Sequence, residues 1–341
     1  MNIEKYFYLH KNRYELLPED EVKLLFQAHF GGGHFVSSLK SAEEYLESEL
    51  NSISENEFSD YPCSEPVSDK YARLHLSKLA SVGISPKTAA RVFAFSAEKA
   101  TEEEKQSFIE DVGKLVDKDF AKNYLSGGVR AVSHSDFYRK KYSPHYRVIA
   151  RKYVPYFPLL KRIDEALTEN KRLVIGIDGK AGSGKSTLAA FLKNVYDASV
   201  IEADDFFVPK REKTAERLKE IGGNIDYVRM KKEVFDHMSE NELSYTPFVC
   251  SKQRLGEPKS IDLSGVTIIE GSYSSHPYFS YKFDVSVFCD IDDELQKKRI
   301  IARNGDFSKK FFEEFIPAEN AFFDKFETKK NADIIIEAKN D

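Results

Sequence analysis

Residues 172–187 read Arg-Leu-Val-Ile-Gly-Ile-Asp-Gly-Lys-Ala-Gly-Ser-Gly-Lys-Ser-Thr. The apolar, β-branched run Leu173, Val174, Ile175, Ile177 predicts a buried parallel strand. It leads into Gly179, four further residues, then Gly184-Lys185-Ser186. Beyond these, Leu188, Ala189, Phe191, Leu192 and Val195 recur at helical spacing. Strand, glycine-rich loop and helix in that order are what a P-loop requires. Glycines let the backbone curl until its N–H groups converge on phosphate oxygens, and the helix N-terminus adds partial positive charge. Gly179, Gly182, Ser183, Gly184, Lys185, Ser186 and Thr187 are therefore the expected nucleotide cradle. Lys185 would reach the β- and γ-phosphates and Ser186 would ligate Mg2+.

Short apolar runs at 199–202, 266–270, 284–290 and 333–336 follow, separated by helical or charged stretches. Such alternation predicts an α/β fold, a P-loop NTPase-type parallel sheet flanked by helices. The first half reads mainly helical. A helix opens at Pro18 and stops at Gly31-Gly32-Gly33, and a capping box at Thr101-Glu102-Glu103-Glu104 precedes an apolar stripe from Phe108 to Val116. Ser41-Ala42-Glu43-Glu44 reads as a second box, and 51–68 as a polar loop. The expected division is a helical N-terminal domain, 1–165, and a P-loop domain, 166–341. A helix over about 157–168 would lead into the first strand.

Carboxylates follow the predicted strands. Asp204 and Asp205 come after the second, where open α/β sheets bind ligands, so one can accept a proton from a hydroxyl. The other reading is a pair of acids capping the next segment. Glu270 ends the third strand before Gly271 and can help hold Mg2+; the alternative is a solvated strand end. Arg299 and Arg303 lie four apart and share a helix face. They suit a phosphoryl clamp or an ordinary basic surface.

In order, the P-loop, Asp204-Asp205-Phe206, Glu270-Gly271 and the arginine helix resemble the uridine kinase, phosphoribulokinase and bacterial pantothenate kinase family, over residues 170 to 338. Glu270 to Ser274 (Glu-Gly-Ser-Tyr-Ser) and Ile316 to Phe323 are similar to bacterial uridine kinase-like proteins. The resemblance implies an ATP- and Mg2+-dependent kinase phosphorylating a hydroxyl of a small metabolite. It makes Asp204 the base, Glu270 with Ser186 the magnesium pair, Arg299 and Arg303 the lid arginines, and Asp226 a holder of sugar hydroxyls. Arg254 would supply a cation near the acceptor. The family's pyrimidine-reading Tyr-Asp and His are absent from Thr246 to Arg254, so uridine and cytidine are expected to be poor acceptors.

A nucleotide-binding regulator with weak or no transfer is the main alternative, and a nucleic-acid-end kinase using the basic segment 138–152 is another. A net charge of −5 disfavours nucleic acid. The longest apolar run is far short of a membrane span. Three scattered cysteines and no leader suit a reducing cytoplasm. Oligomeric state, including a homo-oligomer, is left open. Ala28 to His34 admits a phosphate or metal loop but reads more simply as a glycine helix stop. Ser133-His134-Ser135-Asp136 admits a triad, though sequence neighbours rarely converge as one. Segment 132–147 mixes basic and aromatic residues, suiting stacked bases or a packed seam.

Overall fold

The computed structural model describes residues 2–33, 38–53, 61–214, 216–217 and 220–339. His34 and most of the 51–61 stretch lie outside the described residues. The chain forms two compact units, Met1–Asp164 and Glu165–Asp341. The helix Phe157–Glu169 runs through that division.

The first unit is built on helices Ile3–Arg13, Pro18–Phe30, Leu39–Leu50, Pro86–Phe95, Glu102–Leu115 and Lys118–Ser126. The helix opening at Pro18 ends at Gly31, whose φ of +63° suits glycine. Thr101 caps its helix as expected: Thr101 Oγ1 accepts from Glu104 N at 3.1 Å, and Glu104 Oε2 accepts from Thr101 N at 2.9 Å. The earlier box is displaced. Ser38, not Ser41, is the N-cap, and Ser41 occupies the third helical position, where its N–H bonds back to Ser38 Oγ at 3.1 Å.

The unit is not helices alone. An antiparallel sheet joins Ser64–Pro66, Tyr71–His75 and Tyr146–Ala150. Ser64–Pro66 falls in the expected loop and is a short edge strand, the place where a sheet tolerates proline. Phe7, Leu24, Leu25, Phe108 and Val112 form the apolar core.

The second unit has the expected parallel sheet. Its order is Ile334–Glu337, Val285–Asp290, Leu173–Gly179, Val266–Glu270, Ser199–Glu202. Every neighbouring pair is parallel. The P-loop strand is central, and all its residues are buried, which explains the apolar run from Leu173 to Ile177. Helix Lys185–Tyr196 follows the loop and buries Leu188, Ala189, Phe191, Leu192 and Val195. The arginine helix spans Asp293–Asn304. No helix among the described residues is long and apolar enough to cross a membrane.

Candidate functional site

The carboxyl ends of three adjacent strands bring the sequence motifs together. Register pairs Glu270 with Ile177 on one side and with Glu202 on the other. The P-loop therefore leaves its strand beside Glu270, and Asp204 begins two residues beyond Glu202.

The loop is shaped by positive φ at Gly179 (+137°), Gly182 (+77°) and Gly184 (+101°). A Cβ on Gly179 would stand 2.1 Å from the Cys289 carbonyl oxygen, so this position excludes any larger residue. A Cβ on Gly184 would meet nothing within 4 Å, which marks the open face of the cradle. Lys185 Nζ donates to the carbonyls of Gly179 (2.7 Å) and Lys180 (3.1 Å), folded back along the loop. Ser183 Oγ is buried with no hydrogen-bond partner among the described residues. Ser186 and Thr187 are exposed at the helix start. An open cradle, a buried hydroxyl without a partner and a lysine hydrogen-bonded to backbone carbonyls, all among the described residues, fit a polyphosphate.

The Ser186 hydroxyl faces the Glu270 carboxylate closely enough to favour its charged form. Burial pushes the Glu270 carboxyl up, as do neighbouring Asp204 and Glu202, against Ser186 and Lys185. Asp204 is also raised, first by desolvation and then by Glu202 and Asp205, with Lys185 and Arg303 opposing. Asp204 is exposed to solvent at its surface. This gathering of acids fits a divalent cation. Mg2+ commonly takes one or two carboxylates plus phosphates rather than an all-protein cage. No group of three metal-ligating acids, histidines or cysteines is assembled among the described residues.

The two adjacent aspartates divide their work. Asp205 is buried and accepts from Tyr245 Oη and Lys259 Nζ, both at 2.7 Å. Its backbone carbonyl accepts from Arg229 at 2.8 Å. The Asp204 carboxylate makes no hydrogen bond among the described residues.

The arginines also differ. Arg299 donates to the Gly182 carbonyl at 3.3 Å and the Lys339 carbonyl at 2.9 Å, so it braces the loop and the chain end. Arg303 is exposed, stacks over Phe311 with 5.6 Å to the ring centroid, and acts electrostatically on Asp204. Asp226 caps helix Tyr227–Glu233 through Arg229 N at 3.0 Å and pairs with Arg229 Nε at 3.8 Å. Arg254 lies exposed on a two-residue strand paired with Phe248–Val249.

Sequence reading missed the residues that brace the loop. Buried Glu319 accepts from Ala181 N (2.8 Å) and Ser272 Oγ (2.6 Å). Gln296 Nε2 donates to the Ala181 carbonyl at 2.8 Å. Buried Asp178 accepts from Gly179 N, Tyr273 N and both Ser275 donors, tying the loop to the Glu270-Gly271 turn. An acid inside an apolar strand was the available signal for Asp178. For Glu319 it was the Ile316 to Phe323 segment. In the first unit, a cavity of about 610 Å³ is lined by Arg130, His134 and Arg139 among others. There His134 pairs with Asp20 at 2.9 Å, and Ser135 Oγ donates to the same Asp20 at 2.6 Å. Serine and histidine share one acid, and neither activates the other, so this is not a triad.

No family model matches the chain. Among solved structures it aligns with a possible uridine kinase from Bacillus stearothermophilus at 22% identity, over 52% of this chain and 99% of that one, TM-score 0.41. It aligns with TT1252 from Thermus thermophilus at 21% identity, over 50% and 91%, TM-score 0.29. A deoxyadenosine kinase from M. mycoides with bound dATP aligns at 16%, over 50% and 92%, TM-score 0.25. Likenesses at these TM-scores carry no argument of their own. Strand order and loop geometry carry the P-loop fold.

Proposed function

We propose that the chain is an ATP- and Mg2+-dependent phosphotransferase whose acceptor is a hydroxyl on a small molecule. The observation that supports this most is the meeting of Asp204, Lys185 and the Ser186–Glu270 pair at the carboxyl ends of three adjacent strands. Magnesium, when bound with the nucleotide, would neutralise charge on the transferring phosphoryl group. Ser186 and Glu270 would hold it, and the loop N–H groups with Lys185 would hold the phosphates. Asp204 would orient the acceptor hydroxyl and take its proton. Its carboxylate is uncommitted while Asp205 is spent on Tyr245 and Lys259. Arg303 would approach the transferring group, with Arg299 keeping the loop in shape. A pure nucleotide sensor has no use for an uncommitted acid in this place.

The acceptor would contact the half-buried Asp226 carboxylate in competition with Arg229, or Arg254 through an anionic group. The test is a product screen with ATP and Mg2+ against nucleosides, sugars, sugar acids and pantothenate. A phosphorylated product whose formation needs Lys185 and Asp204 is expected. ATP binding with no product across the screen would favour the regulator.

A further inference from the structure

Between Asn304 and Ile316 the chain does something a plain lid helix has no need to do. Helix Asp293–Asn304 ends at Gly305, a single 3-10 turn follows, and residues Phe311–Phe315 form a π-helical turn before helix Ile316–Phe326. Turns of this kind are rare and concentrate at functional sites. Here it carries a ladder of rings. Phe307 and Phe311 meet edge-on at 6.0 Å, and Phe311 and Phe315 at 5.0 Å. Phe307 is 56% exposed, so burial alone does not account for the ladder.

The ladder holds cations. Lys310 lies over Phe307 and Phe315, at 6.0 and 5.4 Å. Arg303 lies over Phe311 at 5.6 Å. Arg303 is an exposed side chain at a helix end, with many rotamers to lose on ordering. A flat ring beneath the guanidinium restricts it without taking any of its N–H donors, since a cation–π contact uses the ring face. Arg299, one turn earlier, spends donors on backbone carbonyls instead. Only Arg303 of the two is thus both oriented and free to donate.

We propose that Phe311 is a positioning residue, whose ring holds the Arg303 guanidinium ready to clamp the transferring phosphoryl group beside Asp204. This rests on the phosphotransferase reading above. Ground-state nucleotide binding, carried by the loop, should not depend on Phe311. Interactions that grow as charge develops on the transferred group should.

The probe is binding of ADP with Mg2+, with and without aluminium fluoride, by titration calorimetry; it needs no acceptor. Aluminium fluoride should tighten ADP binding to the natural chain. Phe311→Leu should leave ADP affinity unchanged and cut the aluminium fluoride gain by about 10-fold. Phe311→Tyr, which keeps the ring, should restore it. In an Arg303→Ala background, Phe311→Leu should add nothing, because both act through one interaction. Melting temperatures check that each variant is folded. A full aluminium fluoride gain in Phe311→Leu, or a loss that adds to that of Arg303→Ala, overturns the proposal while the phosphotransferase reading stands. Arg303→Ala without effect overturns it too. No gain in the natural chain removes the phosphotransferase reading itself, and the proposal with it.

Discussion

Asp204 and Asp205 are chemically identical neighbours, and only their surroundings separate them. Asp205 sits in an ion pair and a tyrosine hydrogen bond, so Asp205→Asn should lower the melting temperature by weakening the bonds of Lys259 and Tyr245. Asp204→Asn should leave the melting temperature alone and lower kcat by about 10²- to 10⁴-fold, with ATP affinity kept, as loss of a proton acceptor does. Thermal unfolding and steady-state kinetics on the two variants separate these outcomes. A kcat loss confined to Asp205→Asn would move the base by one residue. Lys185→Ala should likewise keep the fold, because the hydrogen bonds of Nζ among the described residues go to the Gly179 and Lys180 carbonyls, while product formation from ATP should fall below detection. The sequence displays the acid pair, and only the family resemblance, not the residues themselves, ranks Asp204 first. The partners that decide are Tyr245 and Lys259, 40 and 54 residues away, and nothing local announces them. Arg299 and Arg303 were indistinguishable for the same reason: the Gly182 and Lys339 carbonyls and the Phe311 ring come from separate parts of the chain.

Elements were legible where one physical cause dominates a long window. The three central parallel strands are largely buried on both faces, so their apolar runs stand out and locate them to within about two residues, while the edge strands Ser199–Glu202 and Ile334–Glu337 are partly exposed and show only through their β-branched residues. The sheet of the first unit was not read. Ser64–Pro66 is three residues long with a central glutamate, and Tyr71–His75 buries Arg73 and His75, so neither strand shows an apolar pattern. The Ser38 cap was missed because its box partner is a serine rather than the usual Glu or Gln. The P-loop itself depends on elements remote in sequence. Glu319→Ala would leave the buried Ala181 N–H without its acceptor, a cost of about 1–3 kcal/mol. The variant should melt lower and bind ATP more weakly, because the loop amide it braces would be released. Gly179→Ala should be more severe, since its Cβ would meet backbone at 2.1 Å and its φ is +137°. Calorimetric melting with ATP titration tests both. Unchanged ATP affinity in a destabilised Glu319→Ala would show that the brace supports the fold and not the cradle.

At the scale of the whole molecule, each unit buries its own kind of titratable group, histidines in the first and carboxyls held above their usual range by burial in the second, and pH should tell them apart. The second unit has an apolar core around Ile201, Phe206, Ile269 and Phe288. The first buries a polar chain. His134 pairs with Asp20, its Nε2 lies 2.5 Å from Tyr146 Oη, Gln27 donates to that same Oη, and Arg73 donates twice to Gln27. Arg73 also stands 3.9 Å from Glu65, which lies 3.8 Å from His10 and 3.6 Å from His75. Burial, reinforced by the Arg73 charge, lowers His10 from 6.5 to about 4. Burial likewise takes His134 to about 3, against the pull of Asp20. Burial alone would raise Glu65, but His75, His10 and Arg73 outweigh it and hold it at about 2. The signs agree. An imidazole with a lowered folded pKa stays neutral in the native state while the unfolded chain takes up a proton, so stability falls as pH drops below 6.5 and keeps falling to about 4 for His10. For His10 alone the loss is on the order of 3 kcal/mol. A carboxylate with a lowered folded pKa contributes fully above 4.5 and loses that contribution as pH falls toward 2, so Glu65 adds to the same trend. Acid should therefore open the first unit before the second. Hydrogen exchange read by mass spectrometry, with pulses placed after incubation between pH 7 and 4, should show protection lost first in Tyr71–His75 and Tyr146–Ala150, with Leu173–Gly179 and Val266–Glu270 still protected. Replacing His10 by Gln, a neutral side chain that can keep the donor to the Pro66 carbonyl, should flatten the slope between pH 6.5 and 4. Simultaneous loss in both sheets, or a slope unchanged in His10→Gln, would show that the buried histidines do not set the acid limit of the fold.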